Sequence, residues 1–309
     1  MKKLKVTVRR TRESDLFECW QMIARTMNDL FKRSGKKPFK FTATSADPTM
    51  IHFRKVDPEA SYVALNAKGA IVGFTQALIR GNEWYLAYLF VDPQYQSTGV
   101  GQKLLKLAMD YGRKNGEITR WALSTFAYNP QALAIYSKMG MTPQIALLVM
   151  TRDWKGDKKP APIKPKMRLT MQVVTTHKLI NRLTKLDIKV RGTARPEEHF
   201  FWTGDDKHTQ LAFYDDKTLV GYSVVGATAR IGPVAATKPE YLSSILAMSV
   251  NYGLEIGQAR QLIFVNGENV EVVQSLLQSG FHIEEATVVM ASERFSDSSR
   301  YVPGHLAHY

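Results

Sequence analysis

Cysteine is nearly missing: Cys19 is the single one among 309 residues. That excludes an intramolecular disulfide framework and points to a reducing compartment, the cytosol. No apolar run approaches the length needed to cross a bilayer, and the opening stretch MKKLKVTVRRTRESD is basic without an apolar core, so neither membrane insertion nor secretion is expected. Seven histidines are scattered along the chain and form no zinc-binding spacing, so no metal is expected. Acidic residues are also in short supply. Against 42 Lys and Arg there are 28 Asp and Glu, a formal charge of +14 that admits nucleic acid, a membrane surface or anionic small molecules as partners.

What is present reads as globular: 44% of residues are hydrophobic and 23% charged. Part of the basic excess is concentrated in KGDKKPAPIKPKMR, residues 155–168, where three prolines break regular structure. This stretch reads as a linker between a first domain at 1–154 and a second at 169–295, with 296–309 as a tail on the surface. A second basic cluster, FKRSGKKPFKF at 31–41, interleaves aromatics with cations. It reads as a solvated loop after a helix or, as the alternative, as a surface for single-stranded nucleic acid.

Periodicity in the first half gives a strand at KLKVTVRR and an amphipathic helix at ESDLFECWQMIARTMNDLFKR. Three strands follow at ASYVALN, AIVGFTQALIR and EWYLAYLFV, then a glycine loop with its helix, a strand at RWALSTF, a short helix at NPQALAIYSKMG and a strand at IALLVMTRDW. The class is mixed α/β. Its informative unit is strand, glycine loop, helix, an arrangement that binds phosphates. A Walker A loop fails because Gly101 is followed by Gln102, and a dinucleotide fingerprint fails because its third glycine position is Leu104. What remains is Gln96-Ser97-Thr98-Gly99-Val100-Gly101 ahead of a helix beginning near Gln102. Glycines allow close backbone approach to an anion, and the helix N-terminus favours a diphosphate there.

These residues resemble the GNAT superfamily of acyl-CoA-dependent N-acyltransferases, whose signature is [QR]-x-x-G-x-[GA] after a strand. The segment NPQALAIYSKMGM is similar to a second motif of that family and follows in the expected order. The resemblance covers about residues 5 to 153. It implies acetyl-CoA as co-substrate, its pyrophosphate held by Gln96, Ser97, Thr98, Gly99, Val100, Gly101 and Gln102, and an amine as acceptor. It also implies that Asn129 contacts the pantetheine arm and that Tyr136 protonates the departing thiolate. Asn129 followed by Pro130 is equally an ordinary helix cap, and Tyr136 could be a core aromatic.

An ammonium must lose a proton before attacking a thioester, and the oxyanion formed wants backbone donors. Strict alternation along EWYLAYLFV puts Trp84, Leu86, Tyr88 and Phe90 on a bulky core face and leaves Glu83, Tyr85, Ala87, Leu89 and Val91 on a lighter face suited to a cleft. Glu83 or Tyr85 is then the candidate base or water-holder, with Glu83 equally readable as a strand-end surface acid. The backbone of Leu89, Phe90 and Val91 is the candidate contact for thioester and pantetheine.

Past the linker the same order of elements returns, so the expected architecture is two tandem GNAT-like domains, each a mostly antiparallel mixed sheet flanked by helices. Counting back from Gly280 gives Asn269 where the first half has Asn129, but Leu276 where it has Tyr136. TKPEYLSSIL carries no glycine loop. The second domain is expected to lack the donor site and to complete an acceptor cleft, stabilise the first domain or form a homo-oligomer. The leading reading is an acetyl-CoA-dependent N-acetyltransferase. A non-catalytic acyl-CoA-binding scaffold is the alternative, and a nucleic-acid-binding protein ranks behind both.

Overall fold

A computed structural model of the chain describes residues 5–156 and 158–309. Lys3 and Leu4, expected to open the first strand, and Asp157 of the expected linker lie outside the described residues. By compactness the chain divides into two units, Met1–Leu123 and Ser124–Tyr309. The composition-based boundary at 155–168 lies further along the chain.

The first unit runs β1 (Thr7–Arg10), α1 (Leu16–Arg33), α2 (Pro48–Val56), β2 (Ser61–Leu65), β3 (Ile71–Arg80), β4 (Glu83–Val91), α3 (Val100–Asn115) and the start of β5 (Arg120–Phe126). The strands lie in the order β1-β2-β3-β4-β5, antiparallel except for the parallel pair β4–β5. Helix α1 buries Leu16, Cys19, Met22, Ile23 and Thr26, the helical spacing visible in its sequence. Helix α2 was not anticipated, although its start carries a signal: the Asp47 side chain accepts from Thr49 N–H at 2.8 Å and Pro48 occupies the first turn.

The second unit continues with α4 (Pro130–Ser137), β6 (Thr142–Asp153), β7 (Thr170–Val173), α5 (His177–Arg191), α6 (Pro196–Gly204), β8 (His208–Asp215) and β9 (Thr218–Gly226). It ends with β10 (Ile231–Ala236), α7 (Pro239–Glu255), β11 (Arg260–Asn266), α8 (Val270–Gln278), β12 (His282–Ala291) and β13 (Tyr301–Val302). Strands β13-β10-β9-β8-β7 form one antiparallel sheet. Strand β6, expected to close the first domain, lies between β12 and β11 and pairs antiparallel with both. Its run Ile145, Leu147, Val149 and Met150 is buried, which suits a strand with neighbours on both edges. From β7 to β12 the order β-α-α-β-β-β-α-β-α-β repeats that from β1 to β6, with α6 as counterpart of α2.

Residues 296–309 depart from the expected surface tail. Tyr301 and Tyr309 are fully buried, and Val302, Pro303, Gly304 and Ala307 are buried beside them. The reason is that Tyr301 and Val302 pair with β10 as β13. Behind this segment lies a buried polar network. Arg195 Nε donates to Asp187 Oδ2 at 2.8 Å and Arg195 Nη2 to Tyr222 Oη at 2.6 Å, while Tyr222 Oη donates to Asp187 Oδ1 at 2.5 Å. Gln210 Nε2 donates to His199 Nδ1 at 2.5 Å, so His199 Nε2 carries the proton shared with Asp187 at 2.9 Å. Burial alone would raise the Asp187 carboxyl, but Arg195 and His199 outweigh it and hold it well below the usual carboxylate range.

Removing one member of such a pair strands a buried charge, which is more costly than never having the pair. Arg195→Leu should therefore lower the stability of the second unit by about 3 kcal/mol at neutral pH. Chemical denaturation read at several pH values checks it. Because the folded-state carboxyl is depressed, the loss should be full above the unfolded value of about 3.9 and shrink on acidification below it.

Candidate functional site

The loop between β4 and α3 is built by short polar braces. Asp92 accepts from Gln94 N–H at 3.1 Å and starts a single turn at Pro93–Tyr95. Gln96 Nε2 donates back to the carbonyl of Val91 at 3.1 Å, and Thr98 Oγ1 to the carbonyl of Tyr95 at 2.6 Å. Ser97 has φ 60° and Gly99 φ 87°, two left-handed residues on either side of Thr98, so that the chain curls ahead of the helix. A Cβ on Gly99 would meet nothing within 4 Å, so the glycine is required by the backbone turn and leaves open space outside it.

Helix α3 then begins with no acidic residue in its first turn. Its leading N–H groups, those of Val100, Gly101 and Gln102, have no intrahelical acceptor by the geometry of any helix start. Ser97, Thr98, Gly99 and Gln102 are exposed. The loop thus offers backbone donors and a helix dipole to an anion from solvent. Gln96 itself serves as a brace to Val91.

Strand β4 corrects the expected faces. Gln76 on β3 pairs with Tyr88 and the next residue, Ala77, pairs with Leu86, which leaves Ala87 as a bulge that breaks alternation. Before the bulge Trp84 faces α3, its Nε1 donating to the carbonyl of Ala108 at 2.9 Å. After it Leu89 and Val91 face α3, packed on Val100 and Leu104. Tyr88 lies on the other side, its ring 5.8 Å from Phe74 and 6.5 Å from Phe53 of α2, and Phe90 shares that side through its pairing with Phe74. There is no lighter face: Glu83, Trp84, Tyr85 and Leu86 are all buried. The carboxylate of Glu83 meets Arg120 Nη1 at 3.2 Å in a buried ion pair. That position holds β4 to β5 and does not suit a base open to an acceptor.

The open feature of β4 is its edge. Pairing with β5 covers Glu83–Leu86 against Arg120–Leu123, and among the described residues no strand continues that pairing beyond Leu86. The edge from Ala87 to Val91, where Ala87, Leu89, Phe90 and Val91 are partly exposed, is left to other partners and runs directly into the braced loop.

Asn129 caps α4, its Oδ1 accepting from Ala132 N–H at 3.2 Å. Tyr136 is buried near the end of that helix, and burial pushes its hydroxyl up, so it holds its proton at neutral pH. Cys19 is buried in α1, and its thiol is pushed up by burial and by the neighbouring charges of Asp15 and Glu18, so it is no nucleophile. Among the described residues no group of three or more His, Cys, Asp or Glu could hold a metal ion, and no helix is long and apolar enough to cross a membrane.

Residues 24–141 match the model of the acetyltransferase (GNAT) family. The [ribosomal protein bS18]-alanine N-acetyltransferase of Escherichia coli K12 is 37% identical over 75 residues, 24% of this chain and 49% of the relative; the chain spans about half the length of the curated relatives it matches. A putative acetyltransferase from Pyrococcus horikoshii superposes with TM-score 0.78 at 15% identity, over 100% of this chain and 97% of the other. A tandem GNAT protein from the clavulanic acid biosynthesis pathway superposes with TM-score 0.60 at 13% identity, over 95% of this chain and 100% of the other. Residues 24–141 are thus similar to the acetyltransferase (GNAT) family, within a chain that shares the fold of a tandem GNAT protein.

Proposed function

We propose that the protein is an acetyl-CoA-dependent N-acetyltransferase with one donor site per chain, in the first unit. The observation that carries this is the continuity of the open β4 edge with the braced loop and the N-terminus of α3, inside the segment that matches the family. The pyrophosphate would lie on the N–H groups from Thr98 to Gln102, and the acyl arm would run along the backbone of Leu89, Phe90 and Val91. The bulge leaves Ala87 opposite no residue of β3, and a backbone N–H there would meet the oxyanion.

The reaction needs no covalent enzyme intermediate. The neutral amine attacks the thioester carbonyl, the C–S bond breaks, the acyl group stays on nitrogen, and the thiolate takes a proton. Tyr136 is assigned as the donor of that proton on the strength of its motif and its retained hydroxyl hydrogen. The acceptor is an amine, and the general base is left unassigned because Glu83 is committed to Arg120. A single donor site follows from the second unit: α7 opens with Lys238, Pro239 and Glu240, so its N-terminus has no glycine loop and already carries a carboxylate.

Gly99→Val should weaken acetyl-CoA binding by about tenfold, because a β-branched residue at φ 87° costs on the order of 1–3 kcal/mol and would distort the donors. Calorimetric titration measures it and should give one site on the unaltered protein. Two equivalent sites, or an unchanged affinity in a folded variant, count against the reading.

Tyr136→Phe should lower turnover by about a hundredfold while leaving acetyl-CoA affinity nearly unchanged, since only the proton donor is lost. A screen of amines for CoA release identifies the acceptor for this assay. Binding of acetyl-CoA with no release on any amine would instead favour a non-catalytic acyl-CoA-binding protein, and wild-type turnover by a folded Tyr136→Phe chain would make the tyrosine a packing residue.

A further inference from the structure

The second unit has the same topological opening as the first and closes it with its own chain. Strands β10 and β11 are bridged in parallel between Arg230 and Leu262, with Leu262 N–H donating to the carbonyl of Ala229 at 2.9 Å. Beyond that bridge the edge of β10 is taken by β13, Val234 opposite Val302 and Ala235 opposite Tyr301, and Ala236 N–H donates to the carbonyl of Arg300 at 2.9 Å. From β11, Asn266 donates to the carbonyl of Tyr301 at 3.0 Å and accepts from Tyr309 Oη at 2.9 Å. From α8, Asn269 repeats the cap of Asn129 with Oδ1 accepting from Val272 N–H at 3.2 Å, and its Nδ2 donates to the carbonyl of Ser298 at 3.1 Å. The fit is tightest at the irregularity of β10 between Ile231 and Val234. A Cβ on Gly304 would lie 2.6 Å from Pro233 N, and one on Gly232 would lie 2.7 Å from the carbonyl of Pro303.

We infer that residues 298–309 are an in-cis ligand of the second unit, a peptide occupying the strand-edge crevice that the first unit leaves for the acyl-carrying arm of its co-substrate. The comparison with that arm rests on the function proposed above; the occupancy of the crevice does not. Two kinds of anchor recur, an edge that a parallel neighbour abandons and an irregularity in that edge, and in the second unit the Asn269 amide adds a third. A peptide supplies its own carbonyls to these donors and buries Tyr301 and Tyr309 as well. The second unit is thereby closed to acyl-CoA by occupancy as well as by the lack of a glycine loop, and the peptide becomes part of its core.

The test uses the full chain carrying Gly304→Val, in which a side chain is forced against Pro233, together with a synthetic peptide of residues 296–309. Release of the segment should lower the thermal midpoint and speed tryptic cleavage at Arg294 and Arg300 by about tenfold or more. Added wild-type peptide should restore the midpoint saturably, and a peptide with the same Gly304→Val change should not. Wild-type midpoint and trypsin resistance in the variant, or equal action of the two peptides, would overturn the inference. Thermal shift by acetyl-CoA on the unaltered chain separates the two readings: its absence sinks the donor site in the first unit, while the peptide arms still decide the occupancy of the second.

Discussion

Two parallel strands that part midway leave a row of backbone N–H and C=O groups on each, and buried groups of this kind must find partners. This constraint organises both units. In the first, β4 leaves β5 after Leu86, and the edge it exposes leads into a loop whose every brace, from Asp92 to Thr98, fixes backbone donors in place. In the second, among the described residues β10 is bridged to β11 only between Arg230 and Leu262, and the exposed edge is satisfied by Tyr301 and Val302. A fold that must leave an edge open can use it for a ligand or fill it with chain; the second unit fills it, and the ligand proposed above would take the edge of the first.

Legibility in the sequence followed how local each signal was. The glycine loop was readable because Gly99 and Gly101 ahead of an amphipathic run state a backbone requirement that neighbours cannot alter. The order of elements was readable for the same reason, and so was the repeat in the second half. The faces of β4 were not, because the extra residue at Ala87 is visible only in its pairing with β3; alternation counted through a bulge assigns Tyr88 and Leu89 to the wrong sides. Helices α2 and α6 are not legible in the sequence although Pro48 and Pro196 stand in their first turns, since both are short and weakly periodic. The 296–309 segment looked like a surface tail because its serines, proline and glycine are loop-like in composition. What buries it is the unpaired edge of β10, some 65 residues away in the chain and absent from any local window.

The two halves also act as a control on which features serve the fold and which serve chemistry. Features present in both are those that fold the chain. Asn129 and Asn269 cap their helices with the same 3.2 Å bond, and Gly140 and Gly280 end them at φ 84° and 83°. Met141 N–H and Phe281 N–H close the same turn onto the carbonyls of Tyr136 and Leu276 at 3.1 and 3.0 Å. Leu276 is fully buried at the place of Tyr136, so the helix does not require a hydroxyl there. Features present only in the first half are the left-handed pair Ser97 and Gly99, a first helical turn free of acids, and that hydroxyl. The left-handed Ser97 is mildly unfavourable in itself. The second half, whose crevice its own chain fills, carries none of the three.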